Sequence, residues 1–358
     1  MASIKKLPNG KWRARYYDGR GKQPTRHFDR RVDAQRWIDE QTAGLVTGAY
    51  VDPTAGRTRL SVYAAAWEST QVGSGATLRL IDNALRLHIL PALGDRQLVS
   101  IRHSDVQGLV RALAADLAPS SVRNIYDVLR RLLTAAVDDR LIAVSPCSRI
   151  TLPALPDAEI VPPTAEQVRV IAGAVAPPYR GAVLTLAGSG LRIGELLGLH
   201  VRDVDFLRRT IRVERQRRQD NQLAPPKTVR SRRVVPIGSV VVDELAAHLA
   251  AFPPAADGSL FTNSRGLPLV YRTWKNAWMH GLAVAEGAVP TGMHAHDLRH
   301  FFASALISGG ASIKQVQHAL GHSSATVTLR VYSHLWPGDE DRTRAIMDAA
   351  LNCALRSA

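Results

Sequence analysis

His296-Asp-Leu-Arg299-His300, Leu320-Gly321-His322 and Tyr332 bring imidazoles, a guanidinium and a phenol into one stretch of chain. A second guanidinium, Arg192, lies upstream in Gly190-Leu191-Arg192-Ile193-Gly194-Glu195. Arginine clamps phosphate oxygens through two parallel N–H bonds. Histidine moves protons near neutral pH, and a tyrosine hydroxyl can be a covalent nucleophile. No carboxylate cluster suggests a magnesium site. Cationic side chains must therefore stabilise any phosphoryl transition state.

Each residue also has a plainer reading. Tyr332 could be a packed helical tyrosine, but of eight tyrosines it alone lies ten residues past Leu-Gly-His. Arg192 could pair with an acid. Glu195, one turn on, would do this and would orient the guanidinium. His294, His296 and His300 could form a zinc cluster, although no nearby Cys or HExxH completes it. His300 reads as a packing residue, and His334 has no assigned role. Lys227, in Pro225-Pro226-Lys227-Thr228, could be a phosphate contact or a solvated charge.

These side chains need elements to hold them. At 358 residues the chain should form two or three domains. Its formal charge of +15 and pI near 10.4 point to a polyanion, most simply nucleic acid. Only Cys147 and Cys353 are present, which argues against a disulfide framework and suits a reducing cytoplasm. No apolar run approaches a membrane span, and the N-terminus lacks the apolar core of a signal peptide.

Residues 1–36 carry eleven Lys/Arg against three Asp. Short basic, aromatic strands around a turn at Asp18-Gly19 and Gly21 should pack on a helix starting at Asp33 and running to about residue 43. Such a ribbon can enter a DNA groove through Lys11, Arg13, Arg15, Arg20, Lys22 and Arg26. Residues 44–57 read as a linker. Residues 58–142 look helical. Leu78, Ile81, Leu85 and Leu87 mark one helix, stopped near Pro91. Val122, Ile125, Val128, Leu129, Leu132, Leu133, Ala136 and Val137 mark another. Pro146, Pro153, Pro156, Pro162 and Pro163 then suggest an extended linker.

Beyond it, Thr164 and Gln167 form a capping box. Strands are expected over 201–205, 210–213 and 233–237, the last two flanking a hairpin whose tip holds Lys227. Helices are expected over 239–251, 271–285 and 297–308. Asp339-Glu340-Asp341 suits the first turn of a final helix.

The boxes SGLRIGELLGLHVRDVDF and HDLRHFFASALISGG, with LGHSSATVTLRVYSHL, resemble the tyrosine recombinase, or phage integrase, family. The resemblance implies three domains, mainly α with small β-sheets: an arm-type DNA-binding sheet-plus-helix unit (1–56), a helical, SAM-like core-binding domain (57–155) and an α+β catalytic domain with a C-terminal helical tail (156–358). It implies Tyr332 as nucleophile, leaving a 3′ phosphotyrosine and a free 5′ hydroxyl. Arg192 and Arg299 would clamp the scissile phosphate, His322 would bind it, and His296 would be the acid–base partner of Tyr332. Lys227 would protonate the leaving 5′ oxygen. No cofactor is implied, and no P-loop appears.

The implied partners are double-stranded DNA at core and arm sites, a homotetramer on paired sites, a directionality factor and a host DNA-bending protein, with no membrane. The implied location is the bacterial nucleoid. Three other classes stay open here: a chromosome-dimer resolvase, a type IB topoisomerase and a catalytically idle DNA-binding regulator.

Overall fold

A computed structural model describes residues 2–17, 21, 23–47, 55–156, 160–226, 231–336, 343–344, 347–349 and 351–352. The expected turn at Asp18-Gly19, Arg20, Lys22, Lys227, Cys353 and the acids Asp339-Glu340-Asp341 lie outside the described residues. The chain divides into two compact units, Met1–Asp157 and Ala158–Ala358.

The first unit begins with an antiparallel sheet, β1 (Ser3–Lys6), β2 (Trp12–Arg15) and β3 (Thr25–Phe28), packed on helix α1 (Arg31–Thr47). Strand β1 was not expected. Its signal was Asn9-Gly10: Gly10 takes φ +82°, a conformation glycine adopts without strain, and its N–H bonds the Leu7 carbonyl. Strand alternation sends Ala14 and Trp12 towards α1, where Ala34, Ile38, Phe28 and Trp37 close a small core. Helix α1 starts two residues before Asp33 and runs through Gly44, so the expected linker is shorter at both ends, with a 3₁₀ turn at Ala55–Arg57.

A helical bundle follows: α2 (Leu60–Ser69), α3 (Gly75–Ala84), α4 (Leu90–Leu93), α5 (His103–Asp116) and α6 (Pro119–Asp138). The α6 stripe faces the core as its spacing requires, with Val122, Leu129, Leu132 and Leu133 fully buried. Pro91 does not stop its helix. A π-helical segment, Leu85–Ile89, joins α3 to α4, and Pro91 sits in the first turn of α4, where its missing N–H is tolerated. The wider turn rotates the apolar stripe to Ile81, Ala84, Leu85 and Ile89, leaving Leu78 and Leu87 exposed.

The second unit opens with α7 (Ala165–Ala174), capped reciprocally by Thr164 and Gln167 at 3.2 and 2.8 Å. Helices α8 (Pro177–Ser189) and α9 (Ile193–Leu197) follow. The strands are β4 (Val204–Asp205), β5 (Thr210–Val213), β6 (Gln216–Arg217), β7 (Leu223–Ala224) and β8 (Arg233–Pro236). Strands β4, β5 and β8 form one antiparallel sheet, with Ile211 opposite Val235; β6 and β7 form a separate ribbon between β5 and β8 in sequence. The strand expected from residue 201 is a 3₁₀ turn over its first three residues, because the Asp203 carboxylate accepts from the His200 N–H at 2.8 Å. Five further helices follow: α10 (Ser239–Ala251), α11 (Tyr271–Val284), α12 (Asp297–Ser308), α13 (Ile313–Leu320) and α14 (Ala325–Tyr332), and the described residues 343–344, 347–349 and 351–352 are also helical. Among the described residues no helix is long and apolar enough to cross a membrane.

Candidate active site

Two left-handed glycines build the frame. Gly190 (φ +61°) ends α8 and Gly321 (φ +65°) ends α13. A Cβ at Gly190 would lie 2.3 Å from Phe302 Cδ1, so both the conformation and the space require glycine. The carbonyls at these helix ends lack intrahelical partners and carry the negative end of the helix dipole. Arg299, from the first turn of α12, answers both: its Nη1 donates to Gly190 O at 2.6 Å and its Nη2 to Leu320 O at 2.7 Å. It is 2 % exposed. Burial, then repulsion from Arg192, pushes its pKa down to about 9, which still leaves it cationic at neutral pH.

Arg192 is the N-cap of α9. Its Nη1 lies 2.9 Å from Glu195 Oε1, and its own N–H donates to Glu195 Oε2 at 2.9 Å. Its Nη2 reaches Gly321 O at 3.4 Å, while over a third of its side chain stays exposed. Glu195 has a second partner that sequence reasoning missed. Arg233, from β8, donates to both carboxylate oxygens at 3.0 and 3.2 Å, and its Nε donates to Ala319 O at 2.8 Å. Burial raises the Glu195 pKa, but Arg233 and then Arg192 outweigh it and hold the carboxyl below its usual range. The local hint was the basic run before β8; the pairing spans 38 residues and no spacing rule reports it.

His322 follows Gly321, and its Nδ1 lies 2.9 Å from Thr328 Oγ1 on α14. Where Thr328 donates, Nε2 keeps its proton and is free to donate to an anion. Burial, reinforced by Arg299, Arg192 and Arg233, lowers the His322 pKa to about 4. His296, the N-cap of α12, is likewise lowered to about 4 by burial, then by His300 and Arg299. Both imidazoles are therefore neutral at pH 7 until a negative ligand arrives. Tyr332, at the end of α14, is 1 % exposed, and burial raises its phenol to about 12 against the opposing pull of Arg299.

The resemblance makes His296 the acid–base partner of Tyr332, and the imidazole in contact with the phenol is that of His300. His300 Nδ1 lies 2.8 Å from Tyr332 Oη, and His296 stands edge-on to His300 with ring centroids 4.9 Å apart. One turn of α12 separates the two histidines, so they share a face and His300 is the one that reaches α14. Arg192, Glu195, His296, Arg299, His322 and Tyr332 thus meet in one electrostatic network, with Glu195, Arg299 and Tyr332 buried and Arg192 and His296 at its solvent-facing rim; Lys227 lies outside the described residues. His294, His296 and His300 do not form a three-ligand metal group among the described residues.

In the first unit, the register places Lys5, Arg13 and His27 on one rung of the open sheet face and Ser3, Arg15 and Thr25 on the next. Lys11, just before β2, has Nζ 3.5 Å from Asp29 Oδ1. Arg26 pairs with Ala14, so it lies on the α1 side, its guanidinium 5.3 Å over the Phe28 ring. It is thereby separated from Arg13 and Arg15, with which it was grouped by composition.

Known proteins sharpen these observations. Residues 164–337 match the Phage integrase family, and residues 2–46 match the Phage integrase, N-terminal domain; together they span more than half of the chain. The integrase of Mycobacterium phage D29 is 27% identical, covering 97% of this chain and 96% of its own length. The putative prophage phiRv2 integrase of Mycobacterium tuberculosis is 26% identical over 96% of this chain and 94% of its own length. Among solved structures, the Tn1549 transposon integrase in complex with transposon right end DNA superposes with TM-score 0.70 at 23% identity, over 82% of this chain and 100% of that one. A lambda integrase dimer bound to a core site superposes with TM-score 0.61 at 18% identity, over 94% of this chain and 95% of that one. The chain is a site-specific tyrosine recombinase. It belongs to the phage integrase family.

Proposed function

We propose that this recombinase integrates or excises a phage or other mobile element by cutting and rejoining duplex DNA through a 3′ phosphotyrosine at Tyr332. The observation that carries the reading is the seating of Arg299 between two helix-end carbonyls, with Arg192, His322 and Tyr332 drawn into the same field. A guanidinium locked before substrate arrives needs no reorganisation when charge develops on the phosphate, and such preorganised stabilisation is commonly the largest catalytic contribution. Arg192, held by Glu195 yet partly exposed, is the second arm of the clamp. Neutral His322 donates Nε2–H to a non-bridging oxygen, His296 supports the same charge from the N-terminus of α12, and Lys227 protonates the leaving 5′ oxygen.

Residues 1–56 would grip distal arm sites through the open face bearing Lys11, Arg13 and Arg15, together with Arg20 and Lys22, and with Arg26 contributing from the α1 side. Residues 57–155 and 156–358 would hold the core site. Four copies would act on paired sites, with a directionality factor and a DNA-bending protein as accessory partners, in the bacterial nucleoid. The lambda integrase structures, a dimer on a core site and a tetramer on a Holliday junction, support the core-site and four-copy parts of this reading. The test is a nicked suicide core site in EDTA: the wild-type chain should be trapped as a slow-migrating, protease-sensitive DNA adduct. Loss of trapping in EDTA with recovery on adding zinc would overturn the cation-only site.

A further inference from the structure

The resemblance gives the acid–base role at Tyr332 to His296, but the imidazole in contact with the phenol is a different one. A phenol with a pKa near 12 keeps its proton at neutral pH, and an oxygen that keeps its proton is a poor nucleophile. The group in contact with that oxygen is the imidazole of His300, Nδ1 to Oη 2.8 Å, with ring centroids 5.6 Å apart. We propose that His300 is a catalytic residue of this enzyme, the base that receives the Tyr332 proton through Nδ1 as Oη attacks the phosphorus. This inference rests on Tyr332 being the nucleophile.

The geometry supplies what a base needs. Helix α12 delivers neighbouring residues to the two halves of the reaction: Arg299 to the phosphate and His300 to the nucleophile. The charged and titratable groups against His300 are Asp297 and Arg299 on its own helix, His296 just before that helix, and Tyr332 on α14. Burial lowers the His300 pKa, Asp297 raises it and Arg299 lowers it again, with a net fall. The ring is therefore neutral and able to accept at pH 7, and Asp297 stabilises the imidazolium as it forms. In cleavage the Oη–P bond forms while the P–O5′ bond breaks. The phenolic proton goes to His300 Nδ1, and O5′ takes its proton from a separate donor, the role proposed for Lys227. In rejoining, the incoming 5′ hydroxyl returns its proton to that donor, and the His300 imidazolium returns one to Oη.

The test uses a suicide core site with a bridging 5′ phosphorothiolate, whose leaving sulfur needs no acid, so that the pH profile reports the nucleophile. Adduct formation by the full-length chain is timed in single turnover from about pH 5 to pH 10. Wild type should show an acid limb at or below about pH 6.5 and a plateau above it. His300→Gln, which can accept a hydrogen bond but not a proton, should be about 10²–10³-fold slower at pH 7, the usual scale of a lost base. Its rate should climb towards alkaline pH, and a fluorinated, more acidic tyrosine at position 332 should speed it at pH 7.

A His300→Gln rate within about threefold of wild type, or a slowdown uniform across pH and unmoved by the fluorotyrosine, overturns the proposal. If His300→Gln fails to fold, the wild-type profile decides alone: a profile without an acid limb overturns the proposal. Tyr332→Phe separates the two readings. An adduct with Phe at 332 removes the nucleophile itself. No adduct with Phe but normal cleavage by His300→Gln removes only His300.

Discussion

The two units use arginine in opposite ways. In the catalytic unit Arg299 has both terminal nitrogens committed to backbone carbonyls, and Arg233 grips Glu195 with side chains 1 % and 3 % exposed. On the N-terminal sheet Arg13 Nε, itself shielded from solvent, has no hydrogen-bond partner among the described residues, and Arg15 Nε donates to a surface hydroxyl, Ser3 Oγ, at 2.8 Å. The first arrangement is finished before DNA arrives; if the sheet grips DNA as proposed, the second is completed by it. Chemistry on a phosphate gains from fixed charge, because a clamp that must first assemble loses part of its stabilisation to reorganisation. Gripping DNA tolerates adaptable charge, since phosphate contacts position a protein without needing sub-ångström accuracy.

The sharpest way to break this contrast lies at Tyr332. Tyr332→Phe keeps the ring packing and removes the hydroxyl, so covalent trapping should vanish while binding to the core site persists. An undiminished adduct would show that the fixed network surrounds a bystander. Next in size are the two clamp arginines. Arg192→Ala and Arg299→Ala should each slow cleavage about 10²–10³-fold. They should differ in stability. Arg299→Ala leaves the Gly190 and Leu320 carbonyls buried without that donor and should lower the melting temperature, whereas partly exposed Arg192 should cost little. Equal melting temperatures would mean that Arg299 is no more built into the fold than Arg192.

Arg233→Ala tests the fixed network without touching the phosphate. It takes from the buried Glu195 carboxylate its buried partner and leaves it Arg192 alone, so the cost should approach that of breaking a buried pair, about 3–5 kcal/mol. The unfolding transition should fall by about 10 °C on the usual scaling. A shift as small as that of a surface substitution would dissolve the distinction between the two kinds of arginine.

How far this contrast can be read from sequence depends on the range of the contacts. Arg192, His296, Arg299, His322 and Tyr332 stand out because each sits at a short spacing from other members of its box. The Thr164–Gln167 cap and the α6 stripe were legible for the same reason: helical contacts repeat every three or four residues. The Arg233–Glu195 pair and the His300–Tyr332 contact were not, because they join residues 38 and 32 apart that only the fold brings together. Pro91 misled for a related reason. Its rule assumes an α-helix, and the π segment before it changed the backbone it had to fit. Arg26 looked like its neighbours until strand register assigned it a face.

Acid should loosen the fixed network. His322, half-buried, has a folded pKa near 4, below the ordinary 6.5 of the unfolded chain, and His296 is lowered too but contributes less because its exposed ring is screened by solvent. Below pH 6.5 the unfolded state takes up protons that the folded state refuses, so stability is complete above 6.5 and declines as pH falls towards about 4. The melting temperature of the catalytic unit should drop by about 5 °C or more across that window. A flat profile would mean that these imidazoles are solvated and not held neutral by burial.

The smallest effects belong to the open sheet. If Arg13 and Arg15 are completed by DNA, removing one deletes a contact without disturbing any internal partner of consequence. Arg13→Ala and Arg15→Ala should leave folding and suicide-substrate cleavage unchanged. Each should lower the slope of log affinity against log salt by about one, the signature of a lost phosphate contact. Binding to distal sites should weaken about tenfold, within the range of a single specific contact. Their position on adjacent rungs, flanked by Lys5 and His27 and by Ser3 and Thr25, argues for groove entry, because side chains on one face of a narrow sheet reach the same groove together. Titrating full-length variants on distal-site and scrambled duplexes at matched salt separates the possibilities. A loss confined to distal sites makes the sheet a reader of sequence. An equal loss on both duplexes reduces it to a general polyanion grip, and the two units would then differ only in how tightly their arginines are held.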